Sequence, residues 1–340
     1  MDKLAPTILS SYPSTAQRKE KENYTYIAPW LISSISFSCR SDQLYRLAIT
    51  SFIEEGDNKG EILKLDQNLQ ELEKVGMFTL RAPATKVMWI PDLNTEQPDI
   101  FATSEDSLKI WEVMETGVVE LKHEFKSPNY PDFPAPLVSF DWCPTNLDLI
   151  VTGSIDSTCA VWNLKKQTLY SHLIAHDKEV YDVSFSPDEN VFATAGGDCS
   201  LRQFDLRDIG SATVLLEAGS PLLRLDWNRK DPNYIACSEM ESNVITIVDI
   251  RKPLNPVSRL VNHKKNVNAL CWSPATATSL CTVGDDCKAL IWDITDLREE
   301  INEPLLEYTA DGEIASLNWS ILQPEWLGIT MGKKVELLHA

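Results

Sequence analysis

The side chains able to do chemistry in this chain are few and widely spread. Five histidines (His123, His172, His176, His263, His339) and eight cysteines (Cys39, Cys143, Cys159, Cys199, Cys237, Cys271, Cys281, Cys287) form no CxxC pair, HExxH helix or zinc-finger spacing. A serine nucleophile needs a strained turn and an oriented base, and none of the thirteen glycines builds a GxSxG, GxGxxG or phosphate-loop pattern. The adjacent carboxylates Asp285–Asp286 and Glu54–Glu55 belong to a chain with fifty acids, where turn and surface roles account for them. The expectation is no catalytic residue, no metal and no cofactor. What remains is recognition chemistry. Asp205-Leu206-Arg207 and Asp249-Ile250-Arg251 each place an arginine two residues after an aspartate. Such a guanidinium can offer its fork to a partner's carboxylate or carbonyl, or pair with local acids.

The charge balance narrows the partners. Lysines and arginines number 31 and acids 50 in 340 residues, a formal charge of 31 − 50 = −19. Direct nucleic-acid binding requires clustered cations and is not expected. No stretch reaches the roughly 20 apolar residues of a membrane span, and Met1 to Glu22 carries no continuous apolar signal region. The thiols are therefore expected to be reduced, and the chain to reside in the cytoplasm and nucleus.

The elements that position these groups repeat. An alternating apolar strand ending in an aromatic occurs seven times, at Phe37, Trp89, Trp142, Phe185, Trp227, Trp272 and Trp319, spaced 42 to 53 residues apart. A second register follows at Leu65, Trp111, Trp162, Phe204, Val248, Trp292 and Leu338. In six of the seven units it lies 19 to 22 residues after the first, a constancy that scattered composition would not give. Between the two lies a third strand of small residues and Thr with an Asp- or Gly-containing turn, as in VFATAGGDCS, and a further short strand follows each unit. Four antiparallel strands per unit, repeated seven times, bury their faces only against neighbouring units. Radial closure achieves this, and unrelated β-sandwich domains do not explain the spacing.

The fold expected is all-β, a seven-bladed propeller over residues 22–340. The seventh unit ends at its third strand, so residues 22–29 (ENYTYIAP) are expected to complete it, and residues 1–21 to form a disordered tail.

The turn aspartates, the Trp-Asp ending at Trp292-Asp293 and histidines before the fourth and sixth units resemble WD repeats. The strings YTYIAPW, LIAHDKEVYDVSFS, SPLLRLDWNRKDPNYIA and YTADGEIASLNWSILQPEW resemble, more narrowly, the subfamily of WD-repeat protein sixty-eight. That group includes the plant anthocyanin and Transparent Testa Glabra regulators and the animal cullin-associated factor. The likeness covers about residues 22–340. The first unit departs from it in lacking the Trp and the turn Asp, and the fifth has Ser242 at the Asp position.

The resemblance implies a WD40-type propeller acting as a non-enzymatic scaffold and existing as a monomer. Its implied partners are dual-specificity tyrosine-regulated or homeodomain-interacting kinases, MYB or basic helix-loop-helix transcription factors, and a cullin-ligase adaptor. A substrate receptor of a cullin-RING ubiquitin ligase is the alternative reading, and a propeller-fold enzyme a remote one. In the family, pairs such as Asp205/Arg207 and Asp249/Arg251 resemble the motif that meets the cullin adaptor. Peptide-binding rim positions would carry Glu179, Tyr181, Asn266, Asn268 and Glu313. His263, Thr282, Asp286 and Trp292 would form a buried structural network, whereas that of His176 would be incomplete, because Phe204 replaces the Trp.

Overall fold

A computed structural model describes residues 23–126 and 135–339, so the tail 1–21 lies outside the described residues. The described residues contain strands and no helix, arranged as seven sheets. The innermost strands neighbour one another in a closed cycle: Leu31–Phe37, Lys86–Trp89, Leu137–Trp142, Val180–Phe185, Leu222–Trp227, Val267–Trp272, Ser316–Trp319 and back to Leu31–Phe37. This is a seven-bladed propeller. The last blade closes as expected: Asn23–Ile27 runs antiparallel to Lys334–His339, from Asn23 opposite Leu338 to Ile27 opposite Lys334. Tyr24 packs on Trp326 at 5.4 Å between ring centroids, which ties the added strand to the blade it completes.

The anchor aromatics explain why each unit needs one. Trp89, Trp142 and Trp227 are fully buried between blades, and filling such a site is worth roughly 2–3 kcal/mol per side chain. Three anchors also fasten the turn that follows, because the indole Nε1 of Trp142, Trp227 and Trp319 donates to the carbonyls of Leu147, Pro232 and Pro324, each at 2.6–2.8 Å. Close approach is extreme at Gly60, where a Cβ would sit 2.0 Å from the Phe78 ring. That ring in turn packs on Phe101 and Trp111 of the second blade.

One element departs from four strands per unit. Glu300–Ile301 adds a fifth strand to the fifth blade, parallel to Pro256–Val261. The segment between the third and outer strands of the sixth blade is long enough to reach its neighbour's open edge. Arg259 N–H donates to Glu299 O, and Asn262 Nδ2 to Asn302 O. The added strand covers backbone groups that an outer strand would otherwise expose.

Candidate interaction surfaces on the two rims

Antiparallel order within each blade sorts the loops onto two rims. Inner strands begin at the upper rim, which also carries the turns between second and third strands. They end at the lower rim, which carries the turns between third and outer strands. Glu179, Tyr181, Asn266, Asn268 and Glu313 therefore lie at the upper rim, and Arg207 and Arg251 at the lower one, on the fourth and fifth blades.

The upper turns are built by aspartates. Asp156, Asp198 and Asp286 each accept from the backbone N–H two residues on. The residue between adopts a left-handed conformation: Ser157, Cys199 and Cys287 have φ of 63–68°. In the sixth blade Asp286 also holds His263, whose Nδ1 lies 3.0 Å from both carboxylate oxygens. The other ring nitrogen is 2.9 Å from Thr282 Oγ1, which takes the Trp292 indole N–H at 2.8 Å. One assignment satisfies every group: Nδ1–H donates to Asp286, and the Thr282 hydroxyl donates to Nε2 while accepting from the indole. Burial holds the His263 pKa below its usual value, so the ring is neutral at pH 7.

The fourth blade builds the same chain through His176, Asp198 (2.8 Å) and Thr194 (2.7 Å). Phe204 cannot supply the indole. Instead Arg202 donates to Ser200 Oγ, Asp198 and the Ala175 carbonyl, so a guanidinium reinforces the Asp end of the chain.

Of the rim residues, Glu179 and Glu313 are exposed, Tyr181 and Asn266 half-buried. Asn268 is turned into the seam between the sixth and seventh blades, where Nδ2 donates to Asp285 Oδ1 (2.6 Å) and Ile314 O (2.9 Å). It joins blades from within, while Glu313 faces solvent and pairs with Lys265 at 3.3 Å.

At the lower rim both arginines fold back on their own aspartates. Arg207 Nε and Nη2 donate to Asp205 at 2.9 and 2.5 Å. Arg251 does the same to Asp249 at 2.8 and 2.7 Å, with its guanidinium carbon 5.8 Å from the Tyr234 ring centroid. The Arg207 hydrogen bonds hold the Asp205 carboxyl down at about 2. The side chains nevertheless stay 64% and 56% exposed. Each guanidinium is thus held in one orientation with much of its surface in water. In the sixth blade Asp293 instead takes Thr295 Oγ1 at 2.6 Å, and no cation stands there.

The residue before the anchor in six blades, Met88 of the second being the exception, forms an axial chain of contacts that spacing alone does not disclose. Ser36, Asp141, Ser184, Asp226 and Asn318 accept the backbone N–H of the next blade's anchor, Trp89, Phe185, Trp227, Trp272 and Phe37. Cys271 takes the same place toward Trp319. Only the alternation of polar residues beside the anchors (FDW, LDW, LNW) hints at it. Burial raises Asp226 to about 6 and pushes the thiols of Cys39, Cys237 and Cys281 up to about 12.

The WD domain, G-beta repeat family matches residues 167–205 and 254–293. Those spans hold the inner three strands of the fourth and sixth blades, the two with complete His–Thr–Asp chains. A DDB1- and CUL4-associated factor 7 homolog of Dictyostelium discoideum is 42% identical over 323 residues, covering 94% of this chain and 99% of that protein. This chain belongs to that WD-repeat family. A WD repeat-containing protein of Schizosaccharomyces pombe is 31% identical over 395 residues, covering 94% of this chain and 90% of the relative. One of Saccharomyces cerevisiae is 33% identical over 295 residues, covering 75% and 56%. Family and fold make the chain a WD40 propeller scaffold.

Proposed function

We propose that this scaffold is a non-enzymatic receptor that docks a DDB1-type cullin-ligase adaptor on its lower rim and holds client proteins on its upper rim. One observation carries the reading. Arg207 and Arg251 stand on adjacent blades, each fixed by a bidentate aspartate yet largely exposed, so docking them requires little further ordering of the side chains. The family's association with DDB1 and CUL4, stated in the name of the Dictyostelium relative, supports the same partner. Kinases of the dual-specificity tyrosine-regulated or homeodomain-interacting type, or MYB and basic helix-loop-helix regulators, are the clients we propose for the upper rim. Its carboxylates at Glu179 and Glu313 suit basic segments. Since the two rims are opposite, adaptor and client can bind together.

Affinity purification from cells tests the reading. The chain carrying Arg207→Ala and Arg251→Ala should lose the adaptor and keep the clients. Retention of the adaptor would make the arginines local stabilisers.

A further inference from the structure

Exposed apolar surface is unevenly spread over the ring. Ten of the twenty large hydrophobic side chains exposed among the described residues fall in the first two blades, between Leu31 and Leu121. Two of them, Leu44 and Val75, border one feature. A groove of about 470 Å³ on the lower rim of the first blade is lined by Leu44, Tyr45, Leu65 and Val75 among a majority of polar side chains, in which the acids Asp42, Asp66 and Glu73 outnumber the single cation Lys64. Leu44 and Val75 are 43% and 44% exposed.

The wall of the groove at Val75 meets the second blade. A Cβ at Gly117 would lie 3.2 Å from the Val75 carbonyl oxygen, and one at Gly76 would lie 3.2 Å from the Gly117 carbonyl oxygen. The two blades therefore abut backbone to backbone at this point. The exposed Met114, Val118 and Leu121 extend the apolar surface past the junction. Leu65 and Tyr45 serve the first-blade core, but nothing in blade packing requires the exposed Leu44, Val75, Met114, Val118 and Leu121 to be apolar, since the interior between the blades is filled by Phe78, Trp89, Phe101 and Trp111. Exposed apolar side chains set in a polar, concave rim of this kind mark an interaction site.

Charge selects the occupant. Residues 61–75 and 112–122 hold seven acids and three lysines. Lys74 pairs with Glu61, Lys122 with Glu112, and Lys64 Nζ donates to Gln43. Asp66, Glu71, Glu73, Glu115 and Glu120 have no ion pair among the described residues. We infer that this groove docks a partner segment that alternates apolar side chains with lysine or arginine, its apolar residues on Leu44 and Val75 and its cations beside Asp66 and Glu73. The site lies on blades one and two, away from Arg207 and Arg251 on blades four and five, so it is a further client site independent of the adaptor surface.

The probe is a short fluorescein-labelled peptide alternating leucine and arginine, with a control in which glutamate replaces arginine. Binding to the full chain is followed by anisotropy at physiological salt. The arginine peptide should bind, and Glu73→Lys and Val75→Ser, both at exposed positions, should each weaken it by at least about tenfold while the melting temperature holds. The glutamate peptide should not bind, and Arg207→Ala with Arg251→Ala should leave affinity unchanged. Equal affinity for the two peptides, or wild-type affinity in both groove variants, would overturn the proposal. So would a dimer in sedimentation that Val75→Ser dissolves, because the occupant would then be a second copy.

Discussion

Arg229 of the fifth blade donates from Nη2 to Asp141 Oδ2 of the third at 2.7 Å, passing the fourth blade on the axial side of the ring. The same Asp141 oxygen accepts the Phe185 backbone N–H at 2.7 Å, so one carboxylate gathers three consecutive blades. Burial tends to lower the Arg229 pKa, but Asp141 and Asp226 outweigh it and keep the guanidinium charged. Breaking such a pair leaves a buried carboxylate without its cation. Arg229→Ala should cost roughly 2 kcal/mol, less than a fully enclosed pair because the arginine is partly open to the axis. A double-mutant cycle with Asp141→Asn in chemical denaturation should give a coupling of about 1 kcal/mol or more. Additive effects would show that the two residues act separately.

Asp226 makes stability depend on pH in an unusual sense. Its folded pKa of about 6 lies above the unfolded value of 3.8, so the native state holds a proton that the unfolded chain has lost. Its favourable contribution is complete below about pH 4 and disappears as pH rises through 6. Asp226→Asn can still accept the Trp272 N–H. The variant should gain roughly 2–3 kcal/mol on the wild type between pH 4 and 6, with no further change above. A stability difference independent of pH across that window would contradict the assignment.

How far the sequence discloses this structure depends on the range of each contact. The anchors are legible because an aromatic must fill the same inter-blade site in every unit, and the Asp286 turn because its chemistry is local. The Arg229–Asp141 bond spans 88 residues with no periodic partner, and the Glu300–Ile301 strand arises from the length of one connection, so neither leaves a repeating signal. The fourth blade shows the same limit. Phe204 announces a missing indole, but only the fold reveals Arg202 at the opposite end of the His176 chain.

The sixth-blade chain sets a third expectation. Asp286→Ala strips the acceptor from His263 Nδ1 and from the Lys264 and Lys288 amides. The loss should be on the order of 1–3 kcal/mol in urea unfolding. A change within roughly 0.5 kcal/mol, as at an ordinary surface site, would remove the network from the account.

Closure of the ring supplies a fourth. Removing residues 1–18 should leave the melting temperature unchanged. Removing 1–30 takes away Asn23–Ile27 and bares the Lys334–His339 edge, and should cause aggregation on heating. Equal behaviour of the two truncations would mean that the strand does not hold the ring shut.

The most direct test of the central claim is a binding titration of the purified adaptor against the full chain. Arg207→Ala and Arg251→Ala should each weaken binding by at least about tenfold, and together abolish it, with the melting temperature kept. Thr295, at the equivalent place on the sixth blade, should tolerate Ala without loss. Unchanged adaptor affinity in the double variant would contradict the receptor reading and leave a scaffold whose lower-rim arginines serve only their own turns.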